Sequence, residues 1–178
     1  MRHGLRYVDP YERRGRFYLA ICRFSTTKLG MWVSEKIAWK LDPYLLRLTG
    51  GRIGSGGPLA SALLETRGAR TGLPRRNATL YFHDGDRVII IASKQGRPTD
   101  PAWYHNLRKH PDVVFGGLPF TAEIVEDEAE RKRLWELADR VFPPFAEYRE
   151  WTARAGRVIP IVQLTPAEQR RATPSGGR

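Results

Sequence analysis

The spacing of apolar residues changes from a helical to a strand period partway along the chain. Phe17, Ala20, Ile21 and Phe24 recur at i, i+3, i+4 and i+7, which predicts an amphipathic helix across residues 9–48. Later in the chain, short apolar runs bounded by Gly, Pro, Asn and Asp predict strands instead. The predicted strands cover residues 60–66, 78–83, 88–91, 113–115, 120–125 and 158–164.

Shorter helices are predicted between these strands. Asp100 is placed to cap a helix over residues 102–109, with the following proline at its first position. Asp127 and Glu130 have the spacing of a capping box and begin a second helix with an apolar stripe. Two consecutive prolines end that helix, and a short helical piece to Trp151 follows.

Tight turns join most of the predicted strands. Asp84-Gly85 separates two apolar runs and Gly116-Gly117 separates two more, which is typical of β-hairpins. Parallel strands would instead need crossover connections of a dozen or more residues. The pattern therefore predicts an α+β fold, an antiparallel sheet or small barrel with helices packed outside, and it disfavours a Rossmann-type domain.

The length of 178 residues allows one sizeable core. We expect four regions: an N-terminal amphipathic helical extension at 1–49, a Gly-rich linker at 50–58, a barrel domain at 59–166 and a polar tail at 167–178. The linker glycines follow a helix and lack the strand–turn–helix setting of a nucleotide-binding loop.

The net charge of +11 is concentrated near the N-terminus. Residues 1–52 hold 11 Lys and Arg against 4 Asp and Glu, a surplus of +7. Basic surfaces attract nucleic acid, anionic lipid or acidic small molecules. We expect the apolar stripe beside these charges to pack on the domain core, with attachment to the anionic inner face of the cell membrane as the alternative. Nucleic acid is not expected as a partner, because no reader module is recognisable.

Several functional classes find no support in the sequence. The chain has no apolar run near the roughly 20 residues of a membrane span and no apolar stretch behind its N-terminus, and its single Cys22 cannot form an internal disulfide. These features predict a cytoplasmic protein, and they leave open whether it is a monomer or a dimer. The four histidines have no ligand partners at zinc spacing, so no metal is expected, and no Gly-x-Ser-x-Gly motif supports hydrolysis.

The positive signal is a cluster of anion-binding residue types at the ends of predicted strands. Guanidinium and ammonium groups, small hydroxyl side chains and glycine-flanking backbone N–H groups can together form a phosphate cradle. The candidates are Arg70, Thr71, Arg75, Arg76, Ser93, Lys94 and Gly96. Trp103 and Tyr104 follow on a short predicted helix and could supply an aromatic wall. The alternative is an ordinary loop with exposed arginines.

Three spaced motifs in this region occur in one order. They are Gly-Ala-Arg-Thr-Gly-Leu-Pro-Arg-Arg-Asn at 68–77, Ala-Ser-Lys-Gln-Gly at 92–96 and Pro-Ala-Trp-Tyr-His-Asn-Leu at 101–107. This arrangement resembles the deazaflavin-dependent nitroreductase and F420H2-dependent quinone reductase family, whose members use the coenzyme F420. The likeness continues to residues 159–162, so it covers nearly everything after the linker.

The resemblance implies a split β-barrel related to flavin-reductase and FMN-binding folds. It implies that the coenzyme's phosphate and acidic tail meet Arg70, Arg75 and Lys94. It further implies that the deazaflavin and ribityl portion is lined by Asn77, Ala92, Ser93, Trp103, Tyr104 and Asn106. Ser93 and Tyr148 are the candidate catalytic residues, with a pocket-lining role as the alternative for Tyr148.

The expected activity is hydride transfer from reduced F420 to a quinone-like acceptor or to an enone or nitro acceptor. Gln95 stands where the family pattern has glycine. Prodrug-reducing members carry tyrosines at positions matching Phe142, Phe145 and Tyr148, of which one keeps its hydroxyl here. Nitro reduction is therefore expected to be the weaker activity. The alternatives are an FMN-binding oxidoreductase of the same barrel class and a carrier that holds deazaflavin or lipid without turnover.

Overall fold

The structure, a computed structural model, describes residues 5–33, 44 and 59–168. The strands in this part of the chain are β1 Ser61–Arg67, β2 Pro74–Asp84, β3 Arg87–Ile91, β4 Asp112–Phe115, β5 Leu118–Ile124 and β6 Ile161–Pro166. The helices there are α1 Arg16–Ser25, α2 Lys28–Val33, α3 Ala102–Lys109, α4 Glu128–Val141 and α5 Phe145–Arg154.

The six strands close into a barrel in the order β1-β2-β3-β6-β5-β4. Every neighbouring pair is antiparallel, and the pairing of Leu64 with Phe115 joins β1 to β4 and closes the ring. Closure leaves no unpaired sheet edge. The predicted α+β fold, an antiparallel barrel with helices outside, is confirmed.

The core fills the barrel and continues beneath the helices. In β1 every second residue is buried, so Leu64 points inward, where Phe115 and Leu164 are also fully buried. Both faces of β3 are buried. The side chains of one face point into the barrel, and those of the other face are covered from outside. Leu134 of α4 belongs to the same hydrophobic cluster. One continuous core therefore holds the strand ends, and the loops beyond them, in place.

Two strand boundaries differ from the sequence prediction by more than two residues. β2 begins at Pro74, four residues before the predicted start, because residues 74–77 pair in register with the end of β1. Their polar sequence lacks the alternation by which strands are recognised. The last strand begins at Ile161 and not at Val158, whose side chain is 76% exposed.

The predicted helix caps are confirmed only in part. Asp127 accepts a hydrogen bond from the Glu130 N–H at 2.8 Å and caps α4. The second bond of a capping box, from the Asp127 N–H to the Glu130 carboxylate, is not formed. The Glu130 carboxylate accepts instead from Arg87 at 3.0 Å and from Arg133 at 2.8 Å. The prediction for Asp100 is wrong: the α3 N-cap is the following proline, and no side chain caps this helix.

The prediction of one N-terminal helix is confirmed only in part over the described residues, where two shorter helices replace it. Residues 5–15 are not helical, and α1 ends at Ser25, three residues before α2 begins. Thr27 separates the two helices: its hydroxyl donates to the Phe24 carbonyl at 2.7 Å and accepts from the Gly30 N–H at 3.0 Å. Residues 34–43 and 45–48, the predicted linker at 50–58 and the tail from 169 onward lie outside the described residues.

The predicted apolar stripe does not pack on the core. Phe17 is 74% exposed and Phe24 is 48% exposed. The buried residues of α1 are instead Tyr18 and Cys22, which directly follow Phe17 and Ile21 in the chain. The Tyr18 hydroxyl donates to the Val141 carbonyl at 2.5 Å, which ties α1 to the end of α4. The solvent-facing side of α1 therefore carries Phe17 and Phe24 beside the exposed Arg16 and Arg23.

Residues 5–8 lie along the barrel at the end of β2. The Val8 N–H donates to His83 Nδ1 at 3.0 Å, and the His83 N–H donates to the Val8 carbonyl at 2.9 Å. The Tyr81 hydroxyl donates to the Arg6 carbonyl at 2.8 Å. These bonds attach the start of the chain to the end of the barrel opposite the β1–β2 turn.

This attachment should weaken at mildly acidic pH. Burial lowers the pKa of His83 below its ordinary 6.5, and protonation of Nδ1 would remove the acceptor for Val8. Between the two pKa values the unfolded chain binds more protons, so this contribution to stability is complete above about pH 6.5 and is lost as pH falls through the folded pKa. Urea unfolding at pH 7.5 and pH 5 should show it. His83→Asn, which keeps an acceptor that does not titrate, should flatten the difference, whereas exposed His105→Asn should not.

Candidate functional site

The turn between β1 and β2 is a compact loop built on two glycines. The Gly68 N–H donates to the Leu73 carbonyl at 2.9 Å, and the Gly72 N–H donates back to Gly68 at 2.8 Å. Gly72 has a φ of +68°, which glycine adopts readily, and a Cβ at Gly68 would lie 2.8 Å from Thr71 Oγ1. The predicted ligand Thr71 thus turns its hydroxyl toward its own loop, while Arg70 is exposed.

Helix α3 holds this loop through Asn106, which is buried. Asn106 Oδ1 accepts from the Ala69 N–H at 2.9 Å, and its Nδ2 donates to Thr66 Oγ1 at 3.1 Å. Lys109 Nζ donates to the Ala69 carbonyl at 2.8 Å. Asn106 was predicted to line the deazaflavin. The structure shows its amide bonded to the loop that carries Arg70, so it orients that loop.

The two neighbouring arginines of β2 point to opposite faces of the strand. Arg76 lies across from Glu65, and its Nε donates to that carboxylate at 2.7 Å. Arg75 lies across from Thr66 and shares its face with Asn77. The predicted cations therefore do not all converge: Arg75 belongs with the barrel-facing residues at this end, and Arg76 is turned away from them.

The segment after β3 forms an unusual turn. Ser93 is right-handed (φ −67°, ψ −39°), whereas Lys94, Gln95 and Gly96 have φ of +49°, +55° and +73°. A right-handed residue followed by a left-handed one directs successive N–H groups into a concave, anion-binding nest. Positive φ at two non-glycine residues is strained, and such strain is concentrated at ligand-binding sites.

The side chains around this turn hold it in a defined place. Lys94 Nζ donates to Thr99 Oγ1 at 2.7 Å and to the Asp100 carbonyl at 3.2 Å, which folds it over the loop. Ala92, at the start of the turn, is fully buried, and its N–H donates to the Pro160 carbonyl at 3.0 Å. The turn therefore presents backbone N–H groups and one ammonium group next to a closed core.

The predicted aromatic wall lies deeper than expected. Trp103 and Tyr104 are 7% and 8% exposed and belong to the core cluster. Burial raises the pKa of Tyr104, and the guanidinium of Arg108 lies 5.8 Å from its ring centre. These rings anchor α3, which runs from the Lys94 turn to the Arg70 loop.

Tyr148 is buried among aromatic rings of α5 and its neighbours. Its ring centre lies 5.5 Å from that of Trp151 and 6.3 Å from that of Phe145. Burial raises the pKa of Tyr148 to about 12, against a smaller lowering by its hydrogen bond with Ser25. Tyr148 is therefore a neutral phenol, and its Cα lies 3.3 Å from the position that a Cβ on Gly96 would take.

Sequence reasoning missed Arg157, which lies in the loop between α5 and β6. Its side chain is 7% exposed and bonds to Asp100 and to carbonyls of residues 92–97. No motif marks it, because its partners are more than 55 residues away in the chain. Lys109 was missed for the same reason.

A small apolar cavity lies between the barrel, α1 and the α4–α5 corner. Its volume is about 10 Å³, room for at most one water molecule. Its lining residues are Tyr18, Ala60, Leu80, Tyr81, Phe82, Ile91, Val141, Phe142 and Phe145. It is too small for an aromatic acceptor. Over residues 5–33, 44 and 59–168, no three His, Cys, Asp or Glu side chains come together to hold a metal ion.

A family model described as F420H(2)-dependent quinone reductase matches residues 42–166. An F420H(2)-dependent quinone reductase of Mycobacterium tuberculosis (strain H37Rv) is 39% identical over 133 residues, covering 71% of this chain and 88% of the relative.

Two solved structures show the same fold. A solved F420-H2 dependent reductase is 35% identical with a TM-score of 0.52, covering 58% of this chain and 92% of that one. A second solved chain, described as a domain-swapped dimer, is 28% identical with a TM-score of 0.53, covering 77% and 99%. Since the family model matches well over half of the chain, this protein belongs to the F420H(2)-dependent quinone reductase family, a family of oxidoreductase enzymes.

Proposed function

We propose that the protein transfers a hydride from reduced coenzyme F420 to a quinone-like acceptor. The observation that carries this proposal is the turn at 93–96, where a right-handed residue followed by left-handed ones forms an anion nest beside Lys94. Arg70 and Arg75 are exposed on the neighbouring loop and strand end. An extended anion lying along α3 could meet both groups, because eight residues of helix span about 12 Å.

The donor set fits the proposed coenzyme. When bound, the reduced deazaflavin supplies the hydride, and the protein supplies binding, orientation and electrostatics. The nest and Lys94 would hold the phosphate, and Arg70 and Arg75 the acidic tail. Asn77 and Ser93 would line the deazaflavin ring and the ribityl portion, next to the buried Ala92. Ser93 remains a proposed catalytic residue, whereas the burial of Tyr148 favours its alternative role as a residue that lines the pocket.

A quinone-like acceptor is favoured over a nitro compound. The three positions at which prodrug-reducing relatives carry tyrosines are here Phe142, Phe145 and Tyr148, all less than 5% exposed. Tyr148 is 3% exposed, and burial raises its pKa to about 12. Two of these positions carry no hydroxyl that could hydrogen-bond a nitro group, which favours a weakly polar, quinone-like acceptor.

F420 should bind more tightly than FMN. Several cations spread over two loops match a phosphate with an acidic tail better than one terminal phosphate, so we expect at least a tenfold lower Kd, about 1.4 kcal/mol. The preference should shrink as salt screens the exposed charges. Optical titration of the purified protein with each coenzyme measures both. Equal or tighter FMN binding would exclude the proposal in favour of a flavin enzyme, and F420 binding without turnover of any quinone would indicate a carrier.

Two adjacent arginines provide the matched control for this titration. Arg75→Ala should weaken F420 binding by about 1.5–3 kcal/mol, because a charge-assisted bond is lost. Arg76→Ala removes the same charge from the opposite face of β2, where Arg76 forms an ion pair with Glu65. This variant should change the Kd for F420 by less than about threefold. Thermal unfolding should hardly change for either variant. Equal losses of affinity would show that only net charge matters.

We also propose that the exposed face of α1 and α2 meets an anionic membrane surface, where an isoprenoid quinone would reside. This apolar face consists of Phe17 (74% exposed), Phe24 (48%), Leu29 (60%) and Trp32 (53%). Arg16, Arg23 and Lys28 accompany it. Basic residues near such a surface contribute about 1 kcal/mol each. Among the described residues, no helix has the length and apolar character that crossing a bilayer requires.

Vesicle sedimentation tests this surface. We expect binding to anionic vesicles that salt weakens, no binding to neutral vesicles, and loss of binding in the double variant Phe17→Ser with Phe24→Ser. Leu73→Ser, which alters an exposed apolar residue on the β1–β2 loop, is the control. Deletion of residues 1–48 is unsuitable, because Val8, Tyr18 and Cys22 are buried in the core. Unchanged sedimentation of the double variant would exclude this surface.

A further inference from the structure

Arg157 bonds to four residues of a single segment. Its Nε donates to Asp100 Oδ1 at 2.7 Å, and its Nη1 donates to the Arg97 carbonyl at 2.7 Å and to the Ser93 carbonyl at 3.1 Å. Its Nη2 donates to the Ala92 carbonyl. All of these acceptors lie within residues 92–100, the segment that contains the anion nest.

The direction of these bonds determines where the nest points. In a trans peptide the carbonyl of one residue and the N–H of the next point in opposite directions, and none of the described peptides is cis. Because the Ala92 and Ser93 carbonyls point toward Arg157, the N–H groups of Ser93 and Lys94 point away from it. The guanidinium therefore lies behind the nest, and the N–H groups face the opposite side.

The turn needs support of this kind. Left-handed backbone at Lys94 and Gln95 is unfavourable for residues with a side chain, so it persists only where surrounding contacts impose it. Arg157 is itself fixed, because its N–H donates to the Thr152 carbonyl at 2.9 Å at the end of α5. Tyr148 and Trp151 of the same helix pack against Gly96. The guanidinium is planar and carries five donors in a fixed fork, which one ammonium group cannot reproduce.

We propose that Arg157 is a positioning residue for the coenzyme anion. It does not touch the coenzyme; it holds the Ala92 and Ser93 carbonyls so that the N–H groups of Ser93 and Lys94 face the phosphate. This inference rests on the proposed function, since it assigns the nest to the phosphate of F420. Asp100 pairs with Arg157 and offsets its charge, so the contribution of Arg157 is geometric and not a long-range attraction.

The test compares two ligands and three variants. Arg157→Met removes the donors at similar length, and Arg157→Lys keeps the charge but replaces the planar fork of donors by one ammonium group. Arg154→Met removes an exposed charge at the end of α5 and is the control. The ligands are F420 and its deazaflavin–ribityl fragment, which lacks the phosphate and acidic tail. Kd by optical titration and thermal unfolding are measured for each.

We expect Arg157→Met to weaken F420 binding by at least about tenfold and fragment binding by less than about twofold, with Arg157→Lys close to Arg157→Met and Arg154→Met unchanged. Equal losses for both ligands would make Arg157 merely structural and overturn the inference, as would unchanged F420 binding. If Arg157→Met does not fold, Arg157→Lys gives the same comparison. Wild-type protein that binds no F420 would instead refute the proposed function, and this inference with it.

Discussion

Gly96→Ala should destabilise the protein by about 3 kcal/mol and raise the Kd for F420 at least tenfold. Gly96 has a φ of +73°, which an alanine adopts only at a cost of about 1–2 kcal/mol. The new Cβ would also lie 2.7 Å from Trp151 Cε3 and 3.3 Å from Tyr148 Cα, and crowding of this kind costs about 1–3 kcal/mol. Urea unfolding and optical titration measure the two effects.

Gly85→Ala separates the two causes. Gly85 has a φ of +60°, but nothing lies within 4 Å of a Cβ there, in the β2–β3 turn. This variant should lose about 1–2 kcal/mol from backbone strain alone and keep its affinity for F420. If both glycine variants lose equal stability and neither loses affinity, the turn at Gly96 can move away from α5, and its proposed role in the site fails.

Phe115→Ala should cost about 3–5 kcal/mol of unfolding free energy, the largest effect that we expect for a single substitution. Phe115 is fully buried, and its partner across the β1–β4 closure is Leu64. Its ring meets those of Tyr81 and Phe120 edge-on, with centres 5.3 and 6.5 Å away. Removing it leaves a cavity at the seam where the barrel closes, with little freedom to collapse.

The same hairpin provides the control. Leu118 is 37% exposed, so Leu118→Ala should change stability by no more than about 0.5 kcal/mol. Urea midpoints should fall for Phe115→Ala without a change in slope, which would show that the folded state remains compact. A loss below about 1 kcal/mol for Phe115→Ala would mean that the barrel is not closed through this contact.

The antiparallel hairpins could be predicted because their signals are local. The turn at Asp84-Gly85 and the apolar runs on either side specify a hairpin wherever the chain places them. Asp127 could be assigned as a helix cap for the same reason, because its partner is the N–H of Glu130. Sequence neighbours supply all of the partners in these elements.

The face of α1 could not be predicted in this way. Seven of its ten residues are apolar or aromatic, and both Phe17-Ala20-Phe24 and Tyr18-Cys22 have helical spacing. Periodicity shows that a stripe exists, but the choice between two adjacent stripes depends on what lies opposite. The Val141 carbonyl, which accepts from Tyr18, lies 123 residues further along the chain.

The same distinction between local signals and long-range packing applies to the candidate site. The sequence by itself determined the residue types of the site: cations, glycines and hydroxyls at two strand ends, in an order that resembles one coenzyme-binding family. Only the tertiary structure decided that Arg75 and Arg76 point to opposite faces of β2. It also decided that Asn106 holds the β1–β2 loop and that Arg157 lies behind the nest. The physical reason is that hydrogen-bond partners of a buried side chain are chosen by the packing of distant elements, which no short window of sequence contains.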